Sequence, residues 1–352
     1  MKILYLNHIC WEWIFQRPQI IALLLEKNYD VTVVNKKFVL GKKIQNKNIL
    51  PKNIKNVLQL PKASIKPIQW INDILFRLQV RKYDNYDLIW ICHPLLFKYV
   101  PKKYQGKIVY DCMDDHLAMA SKSEYGTINN CENKLLDRAS LVFASSLKIK
   151  ERVEKKNNNV YLVRNGYISH KGTKFNFKFD NQQCNFKIGY FGTISSWFDF
   201  ELLQKSLDEF SEIEYKLIGP VESGLEIEDN KKIEFLGAKK HDELFDIVEN
   251  YDALIMPFVV NDIILAVDPV KLYEYISCGK CIISVRYPEI ERFEPFVYFY
   301  DNIKEYRVLL EYLIQNKFKP KYDKKMQVEF LENNNWTKRY QIMQDAIKKT
   351  GE

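Results

Sequence analysis

Short apolar runs alternate with amphipathic stretches along the chain, and the alternation stops once and then restarts. The runs in the first half predict strands at Lys2–Leu6, Asp30–Val34, Leu88–Cys92, Lys107–Tyr110, Leu141–Ala144 and Val160–Val163. Those in the second half predict strands at Phe186–Phe191, Tyr215–Ile218, Ile233–Leu236, Ala253–Met256 and Cys281–Val285. Strands that alternate with helices form βαβ units and mostly parallel sheets.

Helical periodicity lies between these runs. It predicts helices at Pro18–Lys27, from Ser145 or Ser146 to about Lys155, at Trp70–Val80, His241–Asn250 and Val270–Cys278, and at about Asn302–Asn316, Lys321–Asn333 and Trp336–Lys349. Proline at the first turn and Ser or Asp before a helix support these starts.

Residues 169–185 carry no apolar period, and we place a linker there. The chain of 352 residues is long enough for two domains. We therefore expect Rossmann-like domains at 1–168 and 186–335, with 336–352 as a separate terminal helix. Open α/β sheets bind ligands at the carboxyl ends of their strands, so a cleft between the two domains is the expected site.

Charge divides the chain in the same place. Residues 1–175 hold 30 Lys and Arg against 14 Asp and Glu, a balance of +16, whereas the remainder holds 23 against 31, a balance of −8. The basic half should therefore meet something anionic: a membrane surface, a phosphorylated acceptor or a nucleic acid. Lysine on solvated faces of an otherwise ordinary domain is the alternative.

Targeting signals are not expected in this sequence. The apolar start is broken by Asn7, His8 and Glu12, so no leader peptide is expected, and no apolar run reaches the length of a transmembrane helix. Seven scattered cysteines are typical of reduced thiols, which indicates a cytoplasmic protein. Cys278 and Cys281 form a CxxC pair, but no second pair or histidine cluster completes a zinc site, so no metal is expected.

The segment Asp268–Lys280 carries the strongest chemical signal. Asp268 suits a helix cap and Pro269 the first helical position. Lys271 and Glu274 are three residues apart and share one face near the helix start. A helix N-terminus with a lysine favours phosphate, and a glutamate one turn later could accept two ribose hydroxyls. A plain helix start with a solvated Lys–Glu pair is the alternative.

This segment resembles the nucleotide-sugar site of GT-B glycosyltransferases of the family 4 type, as found in bacterial capsule and teichuronic acid synthesis. The resemblance extends over nearly the whole chain. It includes the segments Trp13 with Gln16–Gln19, Tyr110–Asp115, Val163–Gly166, Tyr190–Ile194 and Trp197–Asp199, and Trp336 with Arg339. It implies that the C-terminal helix crosses back to the first domain.

The resemblance also implies the roles of residues. Lys271 would bind the donor diphosphate and Glu274 the ribose, and the backbone at Gly192 and Thr193 would approach the phosphates. Donor contacts are further implied for Asp268, Pro269, Val270, Arg17 and Asn165. The acidic residue usual at eight positions before Glu274 is replaced by Ala266. Asp262, Asp268 or backbone amides could take its place.

Candidate catalytic residues follow two predicted strands of the first domain. Asp114, Asp115 and His116 follow one strand and His93 follows another, so all four are placed at a carboxyl edge. A carboxylate or imidazole there could act as a base or orient an acceptor hydroxyl. Helix capping by the aspartates, and a core or turn role for the histidines, remain open. So do a surface ion pair for Arg17 and a structural turn at Asn165-Gly166.

The predicted helix Trp70–Val80 is apolar-rich and is flanked by Arg77, Arg81 and Lys82. Together with basic residues of the first half, among them Lys36, Lys37, Lys42, Lys43, Lys47, Lys52 and Lys55, it could rest on an anionic bilayer. A core helix is the alternative.

We therefore expect a cytoplasmic glycosyltransferase, peripheral on the inner face of the plasma membrane. It would move a sugar from a UDP- or GDP-linked donor to a surface polysaccharide or lipid-linked oligosaccharide such as capsule or lipopolysaccharide. Retention of configuration is implied by the resemblance, and neither a metal nor a nucleic-acid partner is expected. The alternatives are a GT-B sugar-nucleotide epimerase and a non-catalytic carbohydrate-binding scaffold.

Overall fold

A computed structural model describes residues 1–12, 14–38, 49–61, 65–80, 82–168, 175, 177, 182–225 and 228–350. The chain forms two compact units: unit 1 is Met1–Asn165 together with the chain from Arg339 onward, and unit 2 is Gly166–Lys338. Trp13, Lys42, Lys43, Lys47, Arg81 and most of the proposed linker 169–185 lie outside the described residues, so the linker stays a prediction.

Unit 1 is built on a parallel sheet of seven strands in the order β3-β2-β1-β4-β5-β6-β7. The strands are β1 (Lys2–Leu6), β2 (Asp30–Phe38), β3 (Asn53–Gln59), β4 (Leu88–Ile91), β5 (Lys107–Cys112), β6 (Leu141–Ala144) and β7 (Val160–Leu162). The helices are α1 (Arg17–Leu25), α2 (Lys66–Gln79), α3 (Tyr125–Arg138) and α4 (Leu147–Val153), with 3-10 turns at Tyr83–Asn85 and Pro94–Tyr99.

Unit 2 repeats this plan with a parallel sheet of six strands in the order β10-β9-β8-β11-β12-β13. The strands are β8 (Phe186–Phe191), β9 (Ile213–Ile218), β10 (Ile233–Gly237), β11 (Ala253–Met256), β12 (Cys281–Val285) and β13 (Tyr298–Tyr300). The helices are α5 (Phe200–Leu207), α6 (His241–Val248), α7 (Asp262–Leu265), α8 (Val270–Ser277), α9 (Ile303–Gln315) and α10 (Lys324–Asn333), with a 3-10 turn at Pro288–Phe293.

The last helix, α11 (Trp336–Lys349), begins in unit 2 and runs into unit 1. Arg339 Nε donates to the Asn165 carbonyl oxygen at 2.9 Å, and the Tyr340 hydroxyl lies 3.1 Å from Asn28 Oδ1. Two hydrogen bonds therefore fix the end of the chain to unit 1, and the predicted return of the terminal helix is confirmed.

Central strands are apolar on both faces because helices cover both sides of a parallel sheet. All four residues of β4, β6 and β11 and all five of β12 are buried. This burial made those runs readable from the sequence. Strands β3 and β13 were missed: β3 buries only Val57 and Gln59, and β13 is three residues long. Both lie at sheet edges, where one side lacks a neighbouring strand.

Candidate functional site

In unit 2, the loop after β8 meets the start of α8. Gly192 has φ of +145°, a conformation that residues with a side chain rarely adopt. A Cβ built on Gly192 would lie 1.9 Å from Lys271 Cε and 2.7 Å from its Nζ. The lysine side chain therefore lies directly over the glycine backbone, in space that only a glycine leaves open.

A second glycine supports this arrangement from the neighbouring strand. Gly219 follows β9 with φ of +148°, and a Cβ on it would lie 1.8 Å from the Gly192 carbonyl oxygen. The Tyr190 hydroxyl donates to the Thr193 carbonyl at 2.8 Å, which fixes the next residue of the loop. Thr193 itself is exposed. The backbone at Gly192 and Thr193 is thus held open, as a loop that approaches a phosphate requires.

Lys271 and Glu274 form the charged part of this site. Both side chains are half-buried, and Lys271 Nζ lies 5.8 Å from the centre of the Tyr190 ring. Burial lowers the pKa of Lys271 and raises that of Glu274 to about 7, while each charge partly offsets the shift of the other. Glu274 therefore sits near its midpoint of ionisation at neutral pH, and its protonation can respond to a ligand.

The three residues before this pair have different surroundings. Asp268 does not cap α8, contrary to expectation: Pro269 occupies the cap position, and the Asp268 carboxylate forms a buried ion pair with Arg292. The Tyr273 hydroxyl lies 3.1 Å from Asp268 Oδ2 and 2.7 Å from Arg292. Asp268 and Pro269 are buried, whereas Val270 is exposed. Asp268 is thus an internal brace for the start of α8 and not an exposed ligand-binding acid.

Ala266, at the position where the resemblance implies an acid, is a small buried residue. Ala266 is buried directly after the short helix α7. Asp262, the first residue of that helix, is exposed. The Asn261 side chain caps α7 by accepting from the Ile264 amide at 3.0 Å. Of the two acids offered as replacements, Asp262 alone is exposed, since Asp268 is committed to Arg292.

In unit 1, Arg17 is buried, with 4% of its surface exposed. Its Nη2 lies 2.7 Å from Asp111 Oδ1 and its Nε 3.1 Å from the same oxygen. Its Nη1 donates to the Val163 carbonyl at 2.8 Å and lies 3.4 Å from Asn165 Oδ1. The Arg17 guanidinium is enclosed by protein acceptors, and the expected contact between Arg17 and the donor stays a prediction. Asn165 helps to enclose the guanidinium.

Three histidines converge at the carboxyl edge of the unit 1 sheet. His8 follows β1, His93 follows β4 and His116 follows β5. Ring centres lie 4.2 Å apart for His93 and His116, 5.2 Å for His8 and His93, and 6.0 Å for His8 and His116. His93 and His116 were predicted at this edge. His8 was missed as a site residue, although its position directly after an apolar strand was the available signal.

All three imidazoles are held in the neutral form. Burial and the neighbouring charged groups lower the pKa of His8 to about 3 and that of His93 to about 2. Burial also lowers the pKa of His116, against the opposing effect of Asp114. Because the Leu95 amide lies 3.2 Å from His93 Nδ1, that nitrogen is the acceptor and Nε2 carries the proton.

The two aspartates beside His116 differ. Asp115 is buried and its Oδ1 accepts from the amides of Leu117 and Ala118 at 3.2 and 3.3 Å, with Arg152 at 3.6 Å. These bonds hold a turn at residues 116–119, so Asp115 does not form the helix cap that the sequence left open. Asp114 is half-buried, and burial raises its pKa while His116 and Arg17 lower it. Asp114 is therefore the better candidate for contact with a substrate.

Metal ligation has little support in the part of the chain that the structure describes. No group of three or more His, Cys, Asp or Glu side chains there has an arrangement suited to a metal ion. Cys278 and Cys281 are buried free thiols, and burial raises the pKa of Cys278 to about 12. That no metal is required stays a prediction.

The chain is similar to known proteins both in sequence and in fold. A teichuronic acid biosynthesis protein of Bacillus subtilis (strain 168), named as the glycosyltransferase TuaH, is 22% identical over 216 residues, 55% of this chain and 54% of the relative. The match therefore spans about half the length of that curated relative. No family model matches the chain.

Several solved structures align with this chain over nearly its whole length. They include the lipopolysaccharide outer core galactosyltransferase WaaB (TM-score 0.69, 14% identity, 99% of both chains) and HepE of Anabaena with UDP and glucose (TM-score 0.67, 15% identity, 99% of both chains). A sucrose-phosphate synthase of Thermosynechococcus elongatus matches with a TM-score of 0.71 at 12% identity, over 99% of this chain and 98% of the other. The chain has the GT-B fold. The predicted fold and the resemblance to bacterial group 1 GT-B glycosyltransferases are both confirmed.

Proposed function

We propose that this GT-B protein is a glycosyltransferase whose unit 2 binds a nucleotide-sugar donor. The observation that carries the proposal is the contact between Gly192 and Lys271. It joins a lysine, a glycine backbone of positive φ and the start of a helix at the carboxyl end of one parallel sheet. These three features together favour a phosphate group.

In this proposal Lys271 binds the donor diphosphate. Its partly buried ammonium would regain a partner for the charge, which burial alone disfavours. Glu274, one turn further along α8, would accept hydrogen bonds from the two ribose hydroxyls. The spacing of Lys271 and Glu274 on one helical face sets the distance between the phosphate and ribose contacts. The donor would be UDP- or GDP-linked, and the solved HepE structure contains UDP and glucose.

The acceptor would bind to unit 1 and would be a surface polysaccharide or a lipid-linked oligosaccharide. The name of the Bacillus relative and that of the galactosyltransferase WaaB support this class. Asp114, His93 and His116 are the candidates for holding the acceptor hydroxyl. We propose that no metal is required, because Lys271 and the α8 N-terminus already supply positive charge for a leaving diphosphate. Retention of configuration is proposed from the resemblance to family 4 glycosyltransferases alone.

We also propose that α2 rests on the inner face of the plasma membrane, in the cytoplasm. Only Asn72 and Phe76 of this helix are buried. On the opposite side Trp70 is 67% and Leu78 50% exposed. Trp70 and Leu78 are eight residues apart, so they lie on one side, with Arg77 beside them. An apolar helix face with basic neighbours suits an anionic bilayer surface. Within the described residues, no helix has the length and hydropathy to span a bilayer.

The donor proposal is tested by thermal shift with the UDP, GDP, CMP, ADP and dTDP series and their sugars. One base series should stabilise the wild type and fail to stabilise Glu274→Ala. Glu291→Ala is the matched control, because Glu291 is an exposed acid of the same unit. A folded protein that responds to no nucleotide would contradict the proposal and favour a scaffold. Turnover of the sugar nucleotide without any acceptor would favour an epimerase.

A further inference from the structure

Lys36 lies near the end of β2, at the carboxyl edge of the unit 1 sheet. Its side chain is half-buried, and no described residue forms an ion pair or hydrogen bond with its ammonium group. Burial and the charge of Lys98 lower its pKa to about 8, while Asp73 opposes that shift. A half-buried ammonium without a counter-ion is unfavourable unless an anion completes the site.

The histidine cluster lies within electrostatic reach of this lysine. The Lys36 charge contributes to the lowered pKa of both His8 and His93. Two buried ring nitrogens in the cluster, His8 Nδ1 and His116 Nε2, have no hydrogen-bond partner among the residues that the structure describes. His116 is only 6% exposed. Buried polar atoms are nearly always satisfied, so orphaned nitrogens at a sheet edge indicate a missing ligand.

The topology places these groups where a ligand is expected. Strand β1 pairs with β2 on one side and with β4 on the other. The chain therefore adds β2 and β3 on one side of β1 and then crosses to the other side to form β4. Such a switch point opens a crevice at the carboxyl ends of the strands. Three residues surround this crevice: Lys36 on β2, His8 just after β1 and His93 just after β4.

We propose that Lys36, with His8 and His93, binds a phosphoryl group of a substrate in unit 1. Lys36 would supply the charge, and the imidazoles would supply hydrogen bonds in their neutral form or, once the anion is bound, as cations. Two sources share this chemistry: a phosphate on the acceptor, such as the diphosphate of a lipid-linked sugar, and the diphosphate of the donor. The choice between them rests on the proposed function, whereas binding itself is measured without turnover.

Three acids near Lys36 are each engaged by another group. Asp73 of α2 is already bound by Lys98 at 2.8 Å and by the Tyr99 hydroxyl at 2.6 Å. After β5, the charge of Asp114 acts to raise the pKa of His116.

Asp111 is held by Arg17 at 2.7 Å. Each of these three acids thus has its own cation or imidazole, and none of them forms an ion pair with Lys36 in the part of the chain that the structure describes, so Lys36 can take an external anion. Since the pKa of Lys36 is about 8, the charge is present at pH 7 and is lost as the pH rises through 8.

The test uses the full chain labelled with nitrogen-15 at histidine. Imidazole resonances of His8, His93 and His116 are followed while inorganic pyrophosphate, UDP or geranyl diphosphate is added. His241, at the start of α6 in unit 2, is the reference. We expect the three cluster resonances to shift and affinity to fall between pH 7 and 9. Lys36→Met should weaken this binding about tenfold or more, as removal of a charge-assisted hydrogen bond does.

Lys37→Met is the matched control, because Lys37 is the adjacent lysine of the same strand and is exposed. It should bind as the wild type does. Lys36→Arg should restore binding and keep it at pH 9. A response to geranyl diphosphate alone assigns the site to the acceptor, and a response to UDP alone assigns it to the donor.

Cluster resonances that respond to none of the three probes would overturn the inference. So would equal binding by the wild type and a folded Lys36→Met. Neither result touches the proposed function, which fails only if unit 2 does not bind a nucleotide.

Discussion

The carboxyl edges of the two parallel sheets carry two sites of different construction. In unit 2, Lys271 and Glu274 stand one turn apart on α8 and face a glycine loop, so one helix and one loop form the site. In unit 1, Lys36, His8, His93 and His116 come from four separate segments of the chain. Lys271 and Glu274 belong to one segment of the sequence, whereas the four residues of unit 1 are brought together only by the strand order.

The largest expected effect is on the stability of unit 1. Asp111→Asn leaves the Arg17 guanidinium buried without its counter-ion, and the free energy of unfolding should fall by about 3–5 kcal/mol. Urea denaturation measures this loss, and nucleotide binding to unit 2 should persist below the transition. Lys205→Met removes the exposed Lys205–Glu201 pair and should cost less than about 1 kcal/mol. Equal effects of the two variants would contradict a structural role for Arg17.

Gly192→Ala should have the next largest effect and should act on unit 2. The new Cβ would displace the end of the Lys271 side chain, and the positive φ adds about 1–3 kcal/mol of strain. Because Lys271 leaves its position, we expect nucleotide affinity to fall about 10–100-fold. Gly224→Ala is the control for strain alone, since Gly224 has φ of +87° and open space around its Cβ position. Calorimetric titration should show near-normal affinity in that control.

A smaller effect is expected from pH. The pKa of Glu274 is about 7, above its ordinary value, so the carboxyl group becomes ionised as the pH rises through 7. If the carboxylate accepts the ribose hydroxyls, nucleotide affinity should increase from pH 6 to pH 8, by less than about tenfold. Glu274→Gln should remove that increase. An identical pH profile in wild type and variant would assign the dependence to another group.

The smallest effect concerns α2. Replacing Trp70 and Leu78 by alanine should weaken binding to vesicles of anionic phospholipid several-fold, because about 1–3 kcal/mol of apolar burial per side chain is only partly realised at a bilayer surface. Val308 and Tyr312 of α9 are 67% and 48% exposed. The same double replacement there should leave vesicle co-sedimentation unchanged. Equal loss in both double variants would argue against a specific membrane face.

The same contrast explains what could be predicted from the sequence. Lys271 and Glu274 were found because a helical spacing of three is visible in one segment. The buried partner of Arg17 was not identified because Asp111 lies 94 residues away, and only the folded sheet brings them together. Lys36 and His8 were not recognised as site residues for the same reason. Asp268 resembled a helix cap locally, and its ion pair with Arg292 became visible only in the fold.

The Glu274 carboxylate is expected to accept hydrogen bonds from the ribose hydroxyls of a nucleotide bound to unit 2, and this is the central claim. Its most direct test compares the dissociation constants of a nucleoside diphosphate and its 2′-deoxy form, in the wild type and in Glu274→Ala. We expect the wild type to prefer the ribose form about tenfold, the worth of one hydrogen bond to a charged group, and the variant to bind both forms equally. A preference that survives unchanged in Glu274→Ala would contradict the claim.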